Sequence, residues 1–216
     1  MSKELFGYLR ILSSFAVLLP LCIALWKHRR FVAIQRKLVY LLIAILMVEV
    51  ITNALWYQKK NNFFVYHFYS IAECILIVNL YASALKKLFP KHFFTGISVL
   101  FTVFAIVNML YFQGLSAFNS NVTTTLGFLV IFLCLCYFYA LLKEEKYSPL
   151  EKKPMFWVNA GFLIYFSSNL ILFFINNSMF SKASEVSFLV WGLHAIVNII
   201  LILFFTIAVW VNPNQR

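Results

Sequence analysis

Glu49 and Glu73 each lie inside a long apolar run, with no Lys or Arg within a helical turn of either. They are two of only seven acidic residues, in a chain with no Asp. An acid at the centre of a membrane helix costs about 2.5–3.5 kcal/mol on insertion scales, so such a residue is a functional-site candidate by default. A carboxylate pair at that depth suits proton coupling, cation binding or pairing with a partner's basic group. His67 and His194 bring imidazole chemistry to the same region, but no HxxxH or ExxH spacing makes them a metal or haem pair. No CxxC, nucleophile elbow, P-loop or HExxH pattern occurs. Glu and His at one depth leave an intramembrane hydrolase acting on lipid open, without a recognisable signature. The last apolar run has no Lys, which excludes a retinal Schiff base. The expectation is therefore no cofactor and no metal site, with enzyme activity left undecided and less favoured.

Composition says what must position these groups. Apolar residues make up 63% of the chain and charged residues 12%, against about 45–50% and about 25% in soluble domains. The apolar stretches are continuous rather than alternating, and five Pro and six Gly leave little for the turns of a β-barrel. The expected fold is an all-α integral membrane protein. A bilayer core needs about 20 residues of helix, and seven runs qualify: 7–26, 38–57, 63–85, 93–113, 121–142, 155–178 and 186–211. They make one seven-helix transmembrane domain over 1–216. The first run lacks a small-x-small cleavage site and is expected to stay as the first span. Pro20 should kink it, and Pro154 suits the first turn of the sixth span. Trp26, Trp56, Tyr57, Tyr111, Trp157 and Trp210 mark span ends, as interfacial aromatics do. Cys22, Cys74, Cys134 and Cys136 all fall in apolar runs and read as small packing residues.

The net charge of +11 does not point to nucleic acid, because the basic residues sit in short connections between the spans. The first, third and fifth connections with Arg216 carry 13 Lys and Arg; the opposite side (Lys3, Arg10, Lys59, Lys60 and Lys182) carries five. The excess of basic residues places the odd connections and the C-terminus in the cytoplasm and the N-terminus outside.

Depth and helical phase follow from that orientation. Counted from the outer ends, Glu49, Glu73, Asn169 and His194 lie eight to ten residues down, about 12–15 Å at the helical rise. Glu49 and Asn53 are four apart; Tyr66, Tyr69, Ser70 and Glu73 form a 0, 3, 4, 7 stripe; Trp191, His194 and Asn198 are 0, 3, 7. His67 sits about 120° around its helix from Glu73. The expected ligand-binding set is Glu49, Glu73, Asn169, His194, Asn53, Tyr66, Tyr69, His67 and Trp191, lining a polar cavity open outward and closed toward the cytoplasm. Arg10 is either the counter-charge of this layer or a residue snorkelling to the interface. Asn108 and Asn198 read as interhelical hydrogen-bonding residues.

The runs Tyr66-His67-Phe68-Tyr69 to Glu73, Pro154-Met155-Phe156-Trp157 to Gly161 and Tyr165, and Trp191-x-x-His194 to Asn198 and Trp210 resemble a group of small, uncharacterised seven-helix bacterial membrane proteins. Members occur as stand-alone chains or near sensor histidine kinases. The resemblance implies a multi-pass protein of the cell inner (cytoplasmic) membrane with a sensory or signalling role. The expected function is a receptor-like sensor. It would take a small-molecule or lipid ligand from the outer side and signal to a separate protein through the basic cytoplasmic loops. The alternative is a small transporter or channel that uses the carboxylate pair. A membrane-embedded subunit whose acids pair with a partner's basic residues is a further reading. Expected partners are the lipid bilayer, such a ligand and such a protein, and no nucleic acid.

Overall fold

The structure, a computed structural model, describes residues 3–144, 149–180 and 185–212. Lys146, Lys182 and Arg216, which enter the charge count, lie outside the described residues. The described chain is helical without strands: α1 (Lys3–Ala16), α2 (Leu18–Lys27), α3 (Ala33–Tyr57), α4 (Phe63–Ala84), α5 (Lys91–Tyr111), α6 (Ser120–Leu142), α7 (Pro154–Phe180) and α8 (Glu185–Trp210). Among the described residues, seven helical stretches are long and apolar enough to cross a membrane, α1 and α2 together making the first. That is the make-up of a multi-pass membrane protein.

The first stretch breaks where the proline predicts. Pro20 has no N–H to offer the carbonyl four residues back. The helix pauses at Val17, and the Leu21 amide reaches the Val17 carbonyl only at 3.5 Å. Both Val17 and Pro20 are buried, so the bend is packed against the body.

Six of the seven stretches close a ring. α1–α2 packs on α8 and α3; α3 packs on α4, α4 on α6, α6 on α7, and α7 on α8. α5 lies outside the ring, chiefly against α4, and its outer side (Val99, Leu100, Val103, Leu110) is exposed. The connections alternate between the two ends. The connections 27–33 and 85–91, with residues 142–144 and 149–154, mark one end, called the basic end below. The Tyr57–Phe63 and Tyr111–Ser120 connections mark the other.

The half near the basic end is filled. Leu38, Leu42, Ile77, Leu80, Leu133, Val158, Phe205 and Ala208 are fully enclosed. The polar groups within it are paired. Tyr81 Oη donates to Asn159 Oδ1 at 2.7 Å and lies 3.0 Å from Cys134 Sγ, while Asn159 Nδ2 donates to the Cys134 carbonyl at 3.4 Å. α3 also starts five residues before the expected 38. Its first turn holds polar side chains with defined partners. Gln35 Oε1 accepts from the Val32 amide, and Gln35 Nε2 donates to the carbonyls of Ala208, Val209 and Val211 at 3.0, 3.2 and 2.8 Å. One buried amide thus serves the start of α3 and the unpaired carbonyls at the end of α8. Lys37 donates to Asn79 Oδ1 and Ser83 Oγ on α4 at 2.8 and 2.6 Å.

Candidate functional site

The opposite half of the ring is hollow. A cavity of about 580 Å³ is lined from Phe6, Trp56, Asn62, Phe63 and Phe118 at one end to Leu41, Phe162 and Phe205 at its floor. Five helices line it with a one-face spacing, because residues 0, 3, 4 and 7 of a helix share a side, and α7 is among them with Phe162, Tyr165 and Phe166. α3 gives Glu49, Thr52, Asn53 and Trp56; α4 gives Tyr66, Tyr69, Ser70 and Glu73; α8 gives Trp191, His194, Ala195 and Asn198. α1 gives Arg10, Ser13 and Ser14 on the 0, 3, 4 version of that face, and α5 gives nothing.

The two carboxylates have different company. Glu49 is hydrogen-bonded by Ser14 and by Asn53 Nδ2 (3.3 Å), and Arg10 is near enough to attract it. Arg10 itself turns inward. Its guanidinium covers the Trp56 ring at 3.9 Å and Nη1 donates to Asn53 Oδ1 at 3.4 Å. Asn53 therefore links cation and acid, and the counter-charge reading fits Arg10 better than snorkelling. Among the described residues the one ion pair within 4 Å is Lys153–Glu144, far from the cavity. Among the described residues Glu73 receives one hydrogen bond, from Tyr69 Oη to Oε1 at 3.1 Å. A carboxylate can accept about four.

His194 is held by its neighbours. Asn169 Nδ2 donates to the Tyr165 carbonyl at 2.8 Å, which turns Asn169 Oδ1 toward His194 Nδ1, also at 2.8 Å. An amide oxygen only accepts, so His194 carries its proton on Nδ1, and the residue lines the cavity. Trp191 and Tyr165 flank the ring, with centroids 5.2 and 5.8 Å away.

Seven of the nine expected residues line the cavity: Glu49, Asn53, Tyr66, Tyr69, Glu73, Trp191 and His194. Two do not. Asn169 stands behind His194, because the Tyr165 carbonyl and the imidazole take both ends of its amide. His67 faces away from Glu73, as its 120° offset implies, and its Nε2–H donates to the Ala117 carbonyl at 3.0 Å. That bond has a consequence for the cavity. Asn61 Nδ2 donates to the Ser116 carbonyl, and Asn119 Nδ2 to the Tyr66 carbonyl and Ser70 Oγ. These four bonds lay the α5–α6 connection over α4 and bring Phe118 onto Phe63 and Tyr66, with centroids 6.3 and 6.1 Å away.

Several lining residues go beyond the expected set. Ser13 and Ser14 share the Arg10 face, a spacing visible in the sequence. Tyr165 lies four residues before Asn169, equally visible. Phe118 carries no such signal, because a connection has no helical phase. Asn198, read as a hydrogen-bonding residue, donates to Ser13 Oγ at 2.8 Å and also lines the cavity. Asn108 pairs with Gln113 and Asn121 outside it. Among the described residues no group of three His, Cys or acidic side chains could hold a metal ion. Searches against family models, curated proteins and solved structures find no match to this chain.

Proposed function

We propose that the chain is a receptor-like membrane module that binds a small ligand in the cavity and reports it to a partner at the basic end. The observation that supports this most is the division of the ring into a hollow half and a filled half. Ligand sites usually occupy about 300–1,000 Å³, mostly apolar with a few placed polar groups, and the cavity fits both measures. The distribution of Lys and Arg favours the basic end in the cytoplasm, so the ligand enters from the outer side or its lipid leaflet. α8 supplies the route inward. Its first half carries Trp191 and His194, and its last carbonyls are clasped by Gln35 beside the basic His28–Arg30 turn. A ligand that favours one setting of α8 shifts the population of that setting at the far end.

A transporter using Glu49 and Glu73 draws on the same two acids. The enclosed layer around Tyr81 and Asn159 stands against it, because a transported ion needs access from both ends.

Reconstitution decides between them. In a background without the four native cysteines, Asn53→Cys should react with a membrane-impermeant maleimide from the side that labels Lys59→Cys. It should not react from the side that labels Arg29→Cys. Vesicles loaded with a pH-sensitive dye should show no protein-dependent proton flux. Labelling of Asn53→Cys from both sides, or flux lost in Glu73→Gln, would establish the transporter instead.

A further inference from the structure

The charges that the described residues bring to the cavity wall do not balance, and the imbalance names a ligand class. Among the described residues the wall carries Arg10, Glu49 and Glu73 as its formally charged side chains. Arg10 is coupled through Asn53 to Glu49, which Ser14 also bonds. Among the described residues Glu73 has one hydrogen bond and no ion pair. An ionised carboxylate enclosed without a counter-ion is costly, so a ligand that brings a positive charge gains more here than a neutral or anionic one.

We propose that the cavity selects a monocationic amphiphile, an organic ammonium with an apolar body, and places the ammonium against Glu73. The inference rests on the receptor reading above and specifies what that receptor binds. Aromatic faces support it, because a ring quadrupole attracts cations. Tyr69 reaches Glu73 directly, Tyr165 stands near enough to feel its charge, and Tyr66 and Trp191 share the wall. Leu41, Ile45, Leu126 and Phe205 offer the body an apolar floor. An ammonium donating to the open lone pairs of Glu73 makes charge-assisted bonds, the strong kind. Arg10 does not oppose this arrangement, since its charge is spent on Asn53, Glu49 and the Trp56 ring.

The test compares three probes of one shape: 4-phenylbutylamine, 4-phenylbutan-1-ol and 4-phenylbutanoate. Binding is measured by calorimetry on the full chain in phosphatidylcholine nanodiscs, with empty nanodiscs subtracted. The amine should bind at least about ten-fold tighter than the alcohol, with the carboxylate weakest, as expected for one charge-assisted contact. Glu73→Gln should remove that preference and leave the alcohol within about two-fold. Glu49→Gln should weaken the amine less than Glu73→Gln does. Ala195→Trp, which fills the cavity, should abolish all three. Equal binding of the three probes overturns the cation proposal, and so does an amine preference that survives Glu73→Gln. In either case, probe binding that Ala195→Trp abolishes still supports the receptor cavity. The comparison of probes on the unmodified chain decides even if Glu73→Gln fails to fold. If no probe binds while Asn53→Cys still labels from one side, the cation proposal falls and the cavity reading stands.

Discussion

His67 shows how one side chain can matter to a site it never touches. Its Nε2–H holds the Ala117 carbonyl, and Phe118 follows in the chain. Interhelical hydrogen bonds in membrane proteins average about 0.6 kcal/mol, so His67→Ala should cost the fold only about 1 kcal/mol. Its larger effect should be local, with faster amide hydrogen exchange at residues 114–119 and little change in α7. Unchanged exchange there would mean that Asn61 and Asn119 hold the connection without it. The same residue marks a limit of reading the sequence. Counting along a helix gives depth and phase, and phase did separate His67 from Glu73. Asn169 is the harder case, since it continues the 0, 3, 4, 7 stripe of Phe162, Tyr165 and Phe166. Its exclusion depends on two acceptor–donor matches, with Tyr165 and His194, that no spacing announces.

Individual helices were legible because apolar runs of membrane length leave few alternatives. Their ends were less so. Arg36 and Lys37 look like loop residues, yet α3 begins before them because Gln35 and Lys37 find partners on α8 and α4. The Gln35 clasp is a matched set of one donor group and three carbonyls. Gln35→Glu would replace that donor with a carboxylate facing the same oxygens. It should destabilise the protein by at least about 2 kcal/mol more than Gln35→Leu, measured by denaturation in detergent. The α7–α8 contact makes a second case. A Cβ at Gly161 would lie 2.9 Å from Phe204 Cβ and 3.2 Å from Leu201 Cδ1. A Cβ at Gly127 would press only on the end of the Leu170 side chain, at 3.0 Å, with Phe166 Cδ1 in ordinary contact at 3.7 Å. Gly161→Ala should therefore push α7 and α8 apart at a cost of about 1–3 kcal/mol, whereas Leu170 can turn aside for Gly127→Ala. Equal melting temperatures for the two variants would count against the tight α7–α8 packing.

Among the described residues, polar side chains concentrate in the hollow half and most of the fully enclosed apolar ones in the filled half. That division was partly visible in the sequence, where the polar stripes of the second, third and seventh spans sit toward one end. The filled half was not, since Leu38, Val158 and Phe205 look no different in sequence from the exposed Leu100 or Leu110. Burial against a neighbour depends on which side of a helix the ring closes, and α5 shows that a span of the same composition can stay outside it. Local stability should follow this division, because opening is easiest where few apolar contacts must break. Amides of Leu80–Tyr81 and Leu133–Cys134 should exchange much more slowly than those of Tyr66–Ser70, even though both lie in regular helix. Uniform protection along α4 would contradict it.

The cavity also makes the two halves unequal in the side chains they tolerate. A residue enlarged toward the cavity of about 580 Å³ meets open space, whereas one enlarged in the filled half must displace packed neighbours. Larger substitutions should therefore be absorbed around Glu73 and be costly around Tyr81. A molecule that fills the hollow takes away that tolerance and, with it, the protein's soft side.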